Sequence, residues 1–414
     1  MQLRYTYRVY PTAPQRSALA CVFGCVRTVY NDAVAARRKA HAAGLPFPST
    51  AALDKQLITH AKQTPERRWL AEVSTVPLQQ ALRDCHAAYR NYFASRNGKR
   101  KGPKIGPPKF KRRSNRQAAR FTRNGFSLRP NGRLYIAKVG ELRVAWSRDL
   151  AADPSSVTVM KSPTNKYFVS FLVTVDDGRE PPAPVTEAET GIDLGLKSFA
   201  VLRGGKTIEN PRFFARMERR LGKAQRAFAR KATGSANRAK ARMRVARIHE
   251  TTRNMREDWL RKQVKTIVAE NQGIYVEDLN VRALSRGRAA KSVHDAAWGS
   301  FLAKLESKAA RTGRTFVKID RYFPSTRLCS DCGALSGPTG IAGLEVRRWK
   351  CGCGAVHDRD GNAEINIRRE GRRVAAAASP ESVARGHRET GNACGGPVGP
   401  GETLARFAEA GTHP

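Results

Sequence analysis

Three acidic residues, each at the edge of an apolar stretch, are the residues of this chain best suited to chemistry. Asp193 lies in GIDLGLKSF, Glu277 in IYVEDLN and Asp360 in HDRDGNAEINI. Carboxylate oxygens are the ligands that Mg²⁺ prefers, and two such ions can stabilise the attacking and leaving oxygens of a phosphodiester. The pattern therefore predicts a site in which these three acids hold two Mg²⁺ ions and act on a phosphate backbone.

Each of the three acids also has a structural alternative. Asp193 has apolar neighbours on both sides, where a charge without a function would be poorly placed in a strand. Glu277 is followed by Asp278, and adjacent residues of a strand point to opposite faces, so one is the ligand and the other a cap. Asp360 immediately precedes a helical pattern and could by itself be an N-cap. The presence of all three motifs in one chain favours the metal site over these alternatives. Of Glu277 and Asp278, we predict that Glu277 is the ligand.

Four of the eight cysteines cluster in two pairs, Cys329 with Cys332 and Cys351 with Cys353, and 18 residues separate the pairs. This is close to the two-knuckle spacing that holds tetrahedral Zn²⁺, and a glycine follows the second cysteine of each pair. Four thiolates leave no open coordination position, so the prediction is one structural Zn²⁺ in a reducing cytosol. Four unrelated thiols are the alternative.

The chain carries a formal charge of +41, from 76 Lys and Arg against 35 Asp and Glu among 414 residues. Such a charge destabilises a compact fold by self-repulsion, and a polyanion would relieve it while released counterions drive binding. Nucleic acid is therefore the expected partner. No apolar run approaches the roughly 18 residues that span a bilayer, and the N-terminal segment lacks the apolar region of a secretory signal. We expect no membrane partner and a cytoplasmic location.

The first half of the chain predicts a β-barrel interrupted by helices. Alternating apolar residues over 2–9 predict a strand, a helix follows it, and a further helix covers about 77–95. Residues 96–116 hold ten Lys and Arg and no acid, interleaved with Gly and Pro, which predicts a basic loop. Because this loop contains no acid, we expect it to contact phosphate groups rather than to be a solvated tether. Residues 118–175 return to a strand pattern with hairpin turns.

The second half follows a proline-rich linker over 177–189. The elements that follow the linker have the order expected of an RNase-H-like fold. They are a strand with Asp193, a short hairpin, two long helices and a strand that ends at Glu277. In that fold a central strand, an adjacent strand and a later helix each supply one carboxylate. The two helices lie within 212–262, a segment that contains 17 Lys and Arg but only four acids. We therefore expect one side of each helix to pack against the protein and the other side to be cationic. The tail from about 374 is expected to be flexible.

Five motifs in order, GIDLG, VEDLN, CSDCG, WKCGCG and HDRDGNAEINI, resemble TnpB, the nuclease encoded by certain bacterial insertion sequences. They are similar, too, to the compact type V CRISPR effectors related to TnpB. The first half agrees, because VPLQQALRDCHAAYRNYF and SSVTVMKSPTNKYFVSFLV look like the N-terminal half of that family. The resemblance covers nearly everything up to about residue 370. The main departure is the second cysteine pair, which is CxC rather than CxxC.

The resemblance implies an α+β multidomain fold, with a wedge-type β-barrel that carries a helical insertion and then an RNase-H-like (RuvC) domain that carries a zinc ribbon. The implied boundaries are 1–10 and 117–180 for the barrel, 11–116 for the helical recognition insertion with its basic loop, 186–324 and 358–373 for the nuclease domain, 325–357 for the zinc-ribbon target-loading module, and 374–414 for the flexible tail.

The implied activity is RNA-guided cleavage of DNA. The expected partners are a guide RNA of the right-end element type and double-stranded target DNA, with the protein a monomer in the complex and associated with the bacterial nucleoid. Base pairing would read the target, while the protein reads a short flanking motif. Asp193, Glu277 and Asp360 carry over as the catalytic acids that ligate Mg²⁺. The four clustered cysteines carry over as the zinc ligands.

Candidate nucleic-acid contacts fall into two groups. Gln79, Gln80, Thr122 and Asn124 are candidates for reading the flanking motif, since Gln and Asn can pair with adenine edges. Buried helix polar groups or turn residues fit the same pattern. The basic candidates are Lys109, Lys111, Arg112, Arg113, Arg219, Arg220, Arg226 and Arg230.

Two other functions remain open from the sequence. One is an RNA-guided DNA-binding regulator without cleavage, which loss of one of the three acids would indicate, and all three are present. The other is an unguided RNase-H-fold DNA resolvase, which the long basic helices and the basic loop over 96–116 disfavour.

Overall fold

The computed structural model describes residues 2–100, 102–114, 116–175, 187–340, 343 and 345–378. Its described residues fall into two compact units, one from residues 1–180 and 217–254 and the other from residues 181–216 and 255–414. Most of the predicted linker and the tail beyond residue 378 lie outside the described residues.

The N-terminal part of the first unit, as far as the structure describes it, has seven strands and three α-helices. The strands are β1 Gln2–Val9, β2 Gln117–Thr122, β3 Phe126–Leu128, β4 Arg133–Ile136, β5 Gly140–Ala145, β6 Pro154–Lys161 and β7 Tyr167–Thr174. The helices are α1 Ala13–Ala42, α2 Thr50–Asp54 and α3 Thr75–Arg96. The strands form an antiparallel, near-closed barrel in the order β2-β6-β7-β1-β5-β4-β3, and the helices are inserted between β1 and β2. The predicted barrel with a helical insertion is confirmed.

Helix α1 begins with a proline in its first turn and a capping box between Thr12 and Gln15, whose side chain accepts from the Thr12 amide at 2.9 Å. By length and apolar composition it could cross a membrane, which the sequence reading did not anticipate. Half of that apolar window is buried inside the protein. Its buried side chains, among them Leu19 and Phe23, belong to the same core as the strands of the barrel. The apolar character of α1 thus serves the core of the first unit.

The basic segment after α3 contains no helix or strand in the described part of 97–116. It is nevertheless held in place by α1. Asn31 accepts a hydrogen bond from the Lys111 amide at 2.8 Å and donates to its carbonyl at 3.0 Å, and Arg38 donates to the Pro108 carbonyl at 2.8 Å. The predicted loop is therefore confirmed as an irregular segment, with a fixed backbone over 108–111.

Two long helices, α4 Phe213–Ala229 and α5 Ala236–Glu270, form the predicted helical pair. Residues 217–254 cluster with the first unit, whereas the sequence reading assigned them to the nuclease domain. One reason is Glu250, a buried carboxylate that accepts hydrogen bonds at 2.8 Å from both Thr164 and Lys166 in the turn after β6. A buried carboxylate with two donors is stable only while those partners stay in place.

The second unit has a five-stranded sheet, a two-stranded ribbon and four further helices. The strands are β8 Glu189–Leu194, β9 Ser198–Val201, β10 Thr207–Glu209, β11 Gly273–Glu277, β12 Thr315–Ile319, β13 Arg348–Lys350 and β14 Val356–Asp358. The helices are α6 Val281–Leu284, α7 Ala290–Ala296, α8 Trp298–Arg311 and α9 Arg359–Ala377. Because α9 continues to Ala377, the first four residues of the predicted tail are helical.

The sheet has the order β10-β9-β8-β11-β12, with β8, β11 and β12 parallel and the β8–β9–β10 meander antiparallel. This is the predicted RNase-H-like arrangement. Alternation along the strands separates its two faces. Ile192 and Val276 pack on one face in the main core of the unit, while Tyr275 packs on the other face with Ile367 of α9.

Two glycines allow α9 to lie directly on the sheet. A Cβ at Gly191 of β8 would come within 2.3 Å of the Glu364 carbonyl oxygen, and one at Gly371 of α9 would come within 2.3 Å of the Tyr275 ring. The Gly191 amide also donates to the buried Glu364 carboxylate at 2.9 Å. Neither position has room for a side chain, so these contacts fix the height and rotation of α9 above the sheet.

We predict that Gly191→Ala lowers the free energy of unfolding by about 2 kcal/mol or more, because backbone atoms of α9 cannot move aside as a flexible side chain could. Gly299→Ala is the matched control, since Gly299 is an exposed position of α8 with no heavy atom within 4 Å of an added Cβ. The control should be neutral or slightly stabilising. Chemical denaturation of both variants measures the difference, and equal stabilities would contradict the close approach.

Candidate active site and zinc ribbon

Strand pairing brings the three predicted acids together on the α9 face of the sheet. In the parallel pair of β8 and β11, Ile192 is opposite Val276, so the next residues, Asp193 and Glu277, end neighbouring strands. Adjacent residues of a strand point to opposite faces of the sheet, so Asp193 and Glu277 lie on the face opposite to Ile192 and Val276, which is the face covered by α9. Asp360 lies in the first turn of α9. The carboxyl ends of two central strands and the start of a later helix thus supply one acid each.

Asp193 is a buried carboxyl that is affected by the charges of the other two acids. Burial raises the pKa of this carboxyl, and the negative charges of Glu277 and Asp360 raise it further, to about 7, against the opposing effect of Arg359 and Arg347. An aspartate normally ionises near pH 3.8. Three carboxylates packed at this density repel one another, and bound cations are the ordinary means of relieving such repulsion.

Asp360 is held by two arginines and is not the helix cap. Arg347 donates to one of its oxygens at 2.8 Å, and Arg359 donates to the other from Nε at 3.0 Å and Nη2 at 2.8 Å. The N-cap of α9 is Asp358, whose side chain accepts from the Gly361 amide at 2.9 Å. The alternative in which Asp360 serves only as a cap is therefore excluded. Arg347 thus contacts this acid and also lines the neighbouring cleft.

The neighbours Glu277 and Asp278 have different surroundings. Glu277 is half-buried and accepts a short hydrogen bond from the Ser325 hydroxyl, and burial raises the pKa of its carboxyl while that hydrogen bond lowers it. Asp278 is 47% exposed and forms an ion pair with Arg321. Glu277 is thus the member of the pair that shares a site with Asp193.

A cleft of about 490 Å³ opens beside these acids. Asp193 and Asp360 line it, together with the cations Lys197, Arg327 and Arg347. Carboxylates supply the hard oxygen donors that divalent cations prefer, so the chemical type of these side chains suits such ions. The surrounding Lys and Arg side chains supply positive charge where a phosphate backbone would lie.

The four clustered cysteines also converge. Their sulfur atoms all lie within 4.8 Å of one another, with Cys329 to Cys353 at 3.8 Å and Cys332 to Cys351 at 3.6 Å. A tetrahedron with Zn–S bonds of about 2.3 Å requires sulfur separations of about 3.8 Å. The arrangement therefore fits one tetrahedral Zn²⁺, and the CxC spacing of the second pair does not prevent it.

Neighbouring groups affect the four thiols in opposite directions. Hydrogen bonds from the Cys353 backbone and from Ser336 lower the pKa of Cys351 to about 6, whereas hydrogen bonds among the sulfurs raise the pKa values of Cys332 and Cys353, so one thiol of the cluster ionises more readily than the others. His357, which lies inside the predicted ribbon but was not singled out there, is buried with Nε2 3.1 Å from the Cys329 sulfur, and Trp349 packs on its ring with centroids 4.6 Å apart. His357 is the strand partner of Trp349, and a cysteine pattern does not reveal such a pairing. These groups surround the sulfur cluster with donors and apolar cover.

The predicted nucleic-acid contacts have mixed surroundings. Gln80 is buried, with 5% of its surface exposed, and the Gln79 side chain donates a hydrogen bond to Asp54 at 3.0 Å. Both side chains are therefore engaged within the protein. Thr122 is half-buried at the end of β2, and Asn124 is exposed.

The basic candidates are mostly accessible. Lys111 is half-buried with Nζ 3.8 Å from the Tyr30 ring centroid, and burial lowers its pKa. The other basic candidates are exposed, namely Lys109, Arg112, Arg113, Arg219, Arg220, Arg226 and Arg230.

Three family profiles match the chain. One described as "Probable transposase" matches residues 170–288, one described as "Cas12f1-like, TNB domain" matches 298–367, and one described as "Helix-turn-helix domain" matches 1–45. The solved cryo-EM structure of a Cas12f1–sgRNA–target DNA complex superposes with a TM-score of 0.53 at 13% identity, covering 89% of this chain and 98% of that one. The likeness to that structure concerns the fold.

Relatives match along nearly the whole chain. A "Putative RNA-guided DNA endonuclease" of Streptomyces pristinaespiralis is 43% identical over 384 residues, 92% of this chain and 91% of that protein. The "Putative RNA-guided DNA endonuclease InsQ" of Escherichia coli K12 is 26% identical over 379 residues, 87% and 89% of the two chains. Fold and site together define an α+β multidomain protein with a near-closed β-barrel, a second domain built on an RNase-H-like sheet and a cysteine ribbon. The chain belongs to the TnpB family.

We predict that Asp193→Asn stabilises the protein in the absence of divalent ions, increasingly so as pH rises. The folded state holds the Asp193 proton up to about pH 7, whereas the unfolded chain releases it near pH 3.8. Stability from this group is therefore complete below about pH 4 and is lost as pH rises through about 7. The gain over wild type should approach about 2–4 kcal/mol at pH 8.

Denaturation of the zinc-loaded protein at pH 4.5, 6 and 8 without magnesium measures this gain. Added Mg²⁺ should stabilise the wild type and not the variant, because binding only to the folded state adds to its stability. Asp278→Asn, at the exposed ion pair, is the control. A gain for Asp193→Asn that does not change with pH would rule out repulsion among the three acids.

We predict that Cys351→Ser abolishes stoichiometric zinc and lowers the melting temperature, because a structural zinc site contributes folding free energy. Metal analysis of the purified protein would detect the loss. Cys21→Ser, at an exposed thiol of α1, should keep one zinc per chain. Full zinc retention by the Cys351 variant would show that the four sulfurs do not form the site.

Proposed function

We propose that the protein is an RNA-guided DNA endonuclease that hydrolyses target DNA with Mg²⁺ bound by Asp193, Glu277 and Asp360. The observation that carries the proposal is the placement of three carboxylates at one edge of an RNase-H-like sheet, where burial, followed by the charges of Glu277 and Asp360, raises the pKa of Asp193 to about 7. Carboxylates arranged this way in a chain of charge +41 suit a substrate that is itself a polyanion.

The residues of the site have different proposed roles in phosphodiester hydrolysis. Two bound Mg²⁺ ions would supply a polarised water and stabilise the charge on the leaving 3′ oxygen. Asp193 and Glu277 end rigid strands, so their carboxylates are presented with little conformational freedom. Arg347, 39% exposed on its side chain and lining the cleft, is placed to exchange its contact with Asp360 for a substrate phosphate. Arg359 is largely buried and keeps Asp360 oriented.

The guide and target are proposed from the relatives and the charge distribution. Two relatives carry the name RNA-guided DNA endonuclease, and the Cas12f1 structure holds sgRNA and target DNA. The exposed arginines of α4 and the basic segment fixed by Asn31 would bind phosphates of a guide RNA of the right-end element type and of duplex DNA. We further propose a monomer in the complex, associated with the nucleoid in the cytoplasm.

Reading of a short flanking motif in the duplex is part of the same proposal. Of the four polar candidates, Asn124 is the exposed one, and Thr122 lies beside it at the end of β2. Gln79 would have to leave Asp54 to reach a base, and Gln80 is buried in its helix. Asn124 is therefore the strongest remaining candidate for a base contact.

We predict that the purified protein carries a discrete RNA, and that the complex cuts a matching plasmid in Mg²⁺. Glu277→Gln should reduce the cleavage rate by at least about 1,000-fold, since it removes one ligand charge from the metal site. The variant should still bind RNA and target, because the change leaves the exposed Lys and Arg side chains intact. Sequencing of the copurified RNA and a gel assay of plasmid cleavage are the measurements.

Asp278→Asn is the matched control for this experiment. It makes the same chemical change one residue away, at a side chain that faces solvent and pairs with Arg321. It should cut at a rate within about threefold of the wild type. Cleavage by Glu277→Gln at the wild-type rate would refute the assignment of the site. Cleavage that does not depend on the copurified RNA would instead indicate an unguided resolvase.

A further inference from the structure

A buried hydroxyl contacts one of the proposed metal ligands. Ser325 is 4% exposed and donates its hydroxyl proton to Glu277 Oε1. It lies after β12, four residues before Cys329, so it marks the point where the chain leaves the sheet for the cysteine ribbon. The same residue therefore belongs to the base of the ribbon and to the surroundings of the carboxylate site.

Helix α9 fixes the backbone of this segment through two buried asparagines. Asn366 donates to the carbonyl oxygen of Ser325 at 2.9 Å and to that of Leu328 at 2.6 Å. Asn362, one turn earlier, donates to the Leu328 carbonyl at 2.8 Å and accepts from the Ser330 amide at 2.9 Å. Both asparagines are 2% exposed. Buried amides with all these partners satisfied hold a backbone in a single position.

The contacts of Asn362 lie on both sides of a zinc ligand. Leu328 and Ser330 immediately precede and follow Cys329, and Asn362 is two residues from Asp360 on the same helix. Arg369, two turns further along α9, donates to the Ser330 carbonyl. The first cysteine of the ribbon and the acid of the helix are therefore positioned by one set of hydrogen bonds.

The chemistry of the Ser325 contact differs from that at Asp360. A hydroxyl carries no charge, so it can orient a carboxylate without competing electrostatically with a cation, whereas Arg347 and Arg359 neutralise Asp360. With Oε1 engaged, the Glu277 side chain loses the freedom to rotate about its terminal bond, and Oε2 stays available. Groups that orient a ligand in this way commonly contribute 10-fold to 100-fold in metal affinity.

We propose that Ser325 is a positioning residue that fixes the Glu277 carboxylate for divalent-cation binding, and that Asn362 and Asn366 hold Ser325 in place. The zinc ribbon is then coupled to the nuclease site through the backbone of residues 325–330. This inference rests on the proposed function, in that Glu277 must be a metal ligand. It adds a residue that is neither charged nor in contact with the substrate cleft.

The test is Mn²⁺ binding to the full-length, zinc-loaded protein, followed by the signal of free Mn²⁺ in electron paramagnetic resonance. Ser325→Ala should weaken Mn²⁺ binding at least about 10-fold with zinc content unchanged, and Ser325→Thr, which keeps the hydroxyl, should restore it to within about threefold. Asn366→Ala should also weaken binding. Combined with Ser325→Ala it should add little, because both changes act on one contact.

Ser330→Ala is the matched control, since it removes another buried hydroxyl of the same segment, whose nearest partner is Asp331 rather than Glu277. It should bind Mn²⁺ as the wild type does. Wild-type affinity in Ser325→Ala, or equal loss in Ser325→Ala and Ser330→Ala, would overturn the proposal. If Asp193→Ala also left Mn²⁺ affinity unchanged, the carboxylate site itself, and with it the proposed function, would fail.

Discussion

The close approach of α9 to the central sheet is the constraint on which the rest of this site depends. Gly191 and Gly371 have no room for a side chain, and the Glu364 carboxylate accepts from the Gly191 amide. With the helix at this height, its first turn brings Asp360 to the strand ends that carry Asp193 and Glu277. A helix kept away by even a methyl group would separate the third carboxylate from the other two.

The acids of the site carry an electrostatic cost of their own. Burial, followed by the negative charges of Glu277 and Asp360, raises the pKa of Asp193 to about 7. Keeping Asp193 ionised at this position therefore costs stability. Arg347 and Arg359 offset part of that cost through their contacts with Asp360. Under the proposed function, bound divalent cations would relieve the remainder.

The cysteine ribbon also depends on helix α9. Its cysteines are spaced for one tetrahedral Zn²⁺, and the segment that leads into Cys329 is held by Asn362 and Asn366 of α9. A single helix therefore carries an acid, positions the first zinc ligand and packs against the sheet. This arrangement explains why the ribbon is inserted between β12 and α9, where the mouth of the active site lies, rather than at an end of the domain.

Local patterns in the sequence were enough to predict the cysteine pairs, the barrel strands and the order of strands and helices that places the three acids at one sheet edge, because strand alternation, knuckle spacing and helix periodicity are short-range properties. Tertiary structure decided what depends on distant contacts. It separated Glu277 from Asp278, made Asp358 the cap, and buried Gln80. Ser325 acquires its role through a partner in β11, 48 residues earlier in the chain, and no local pattern encodes such a contact.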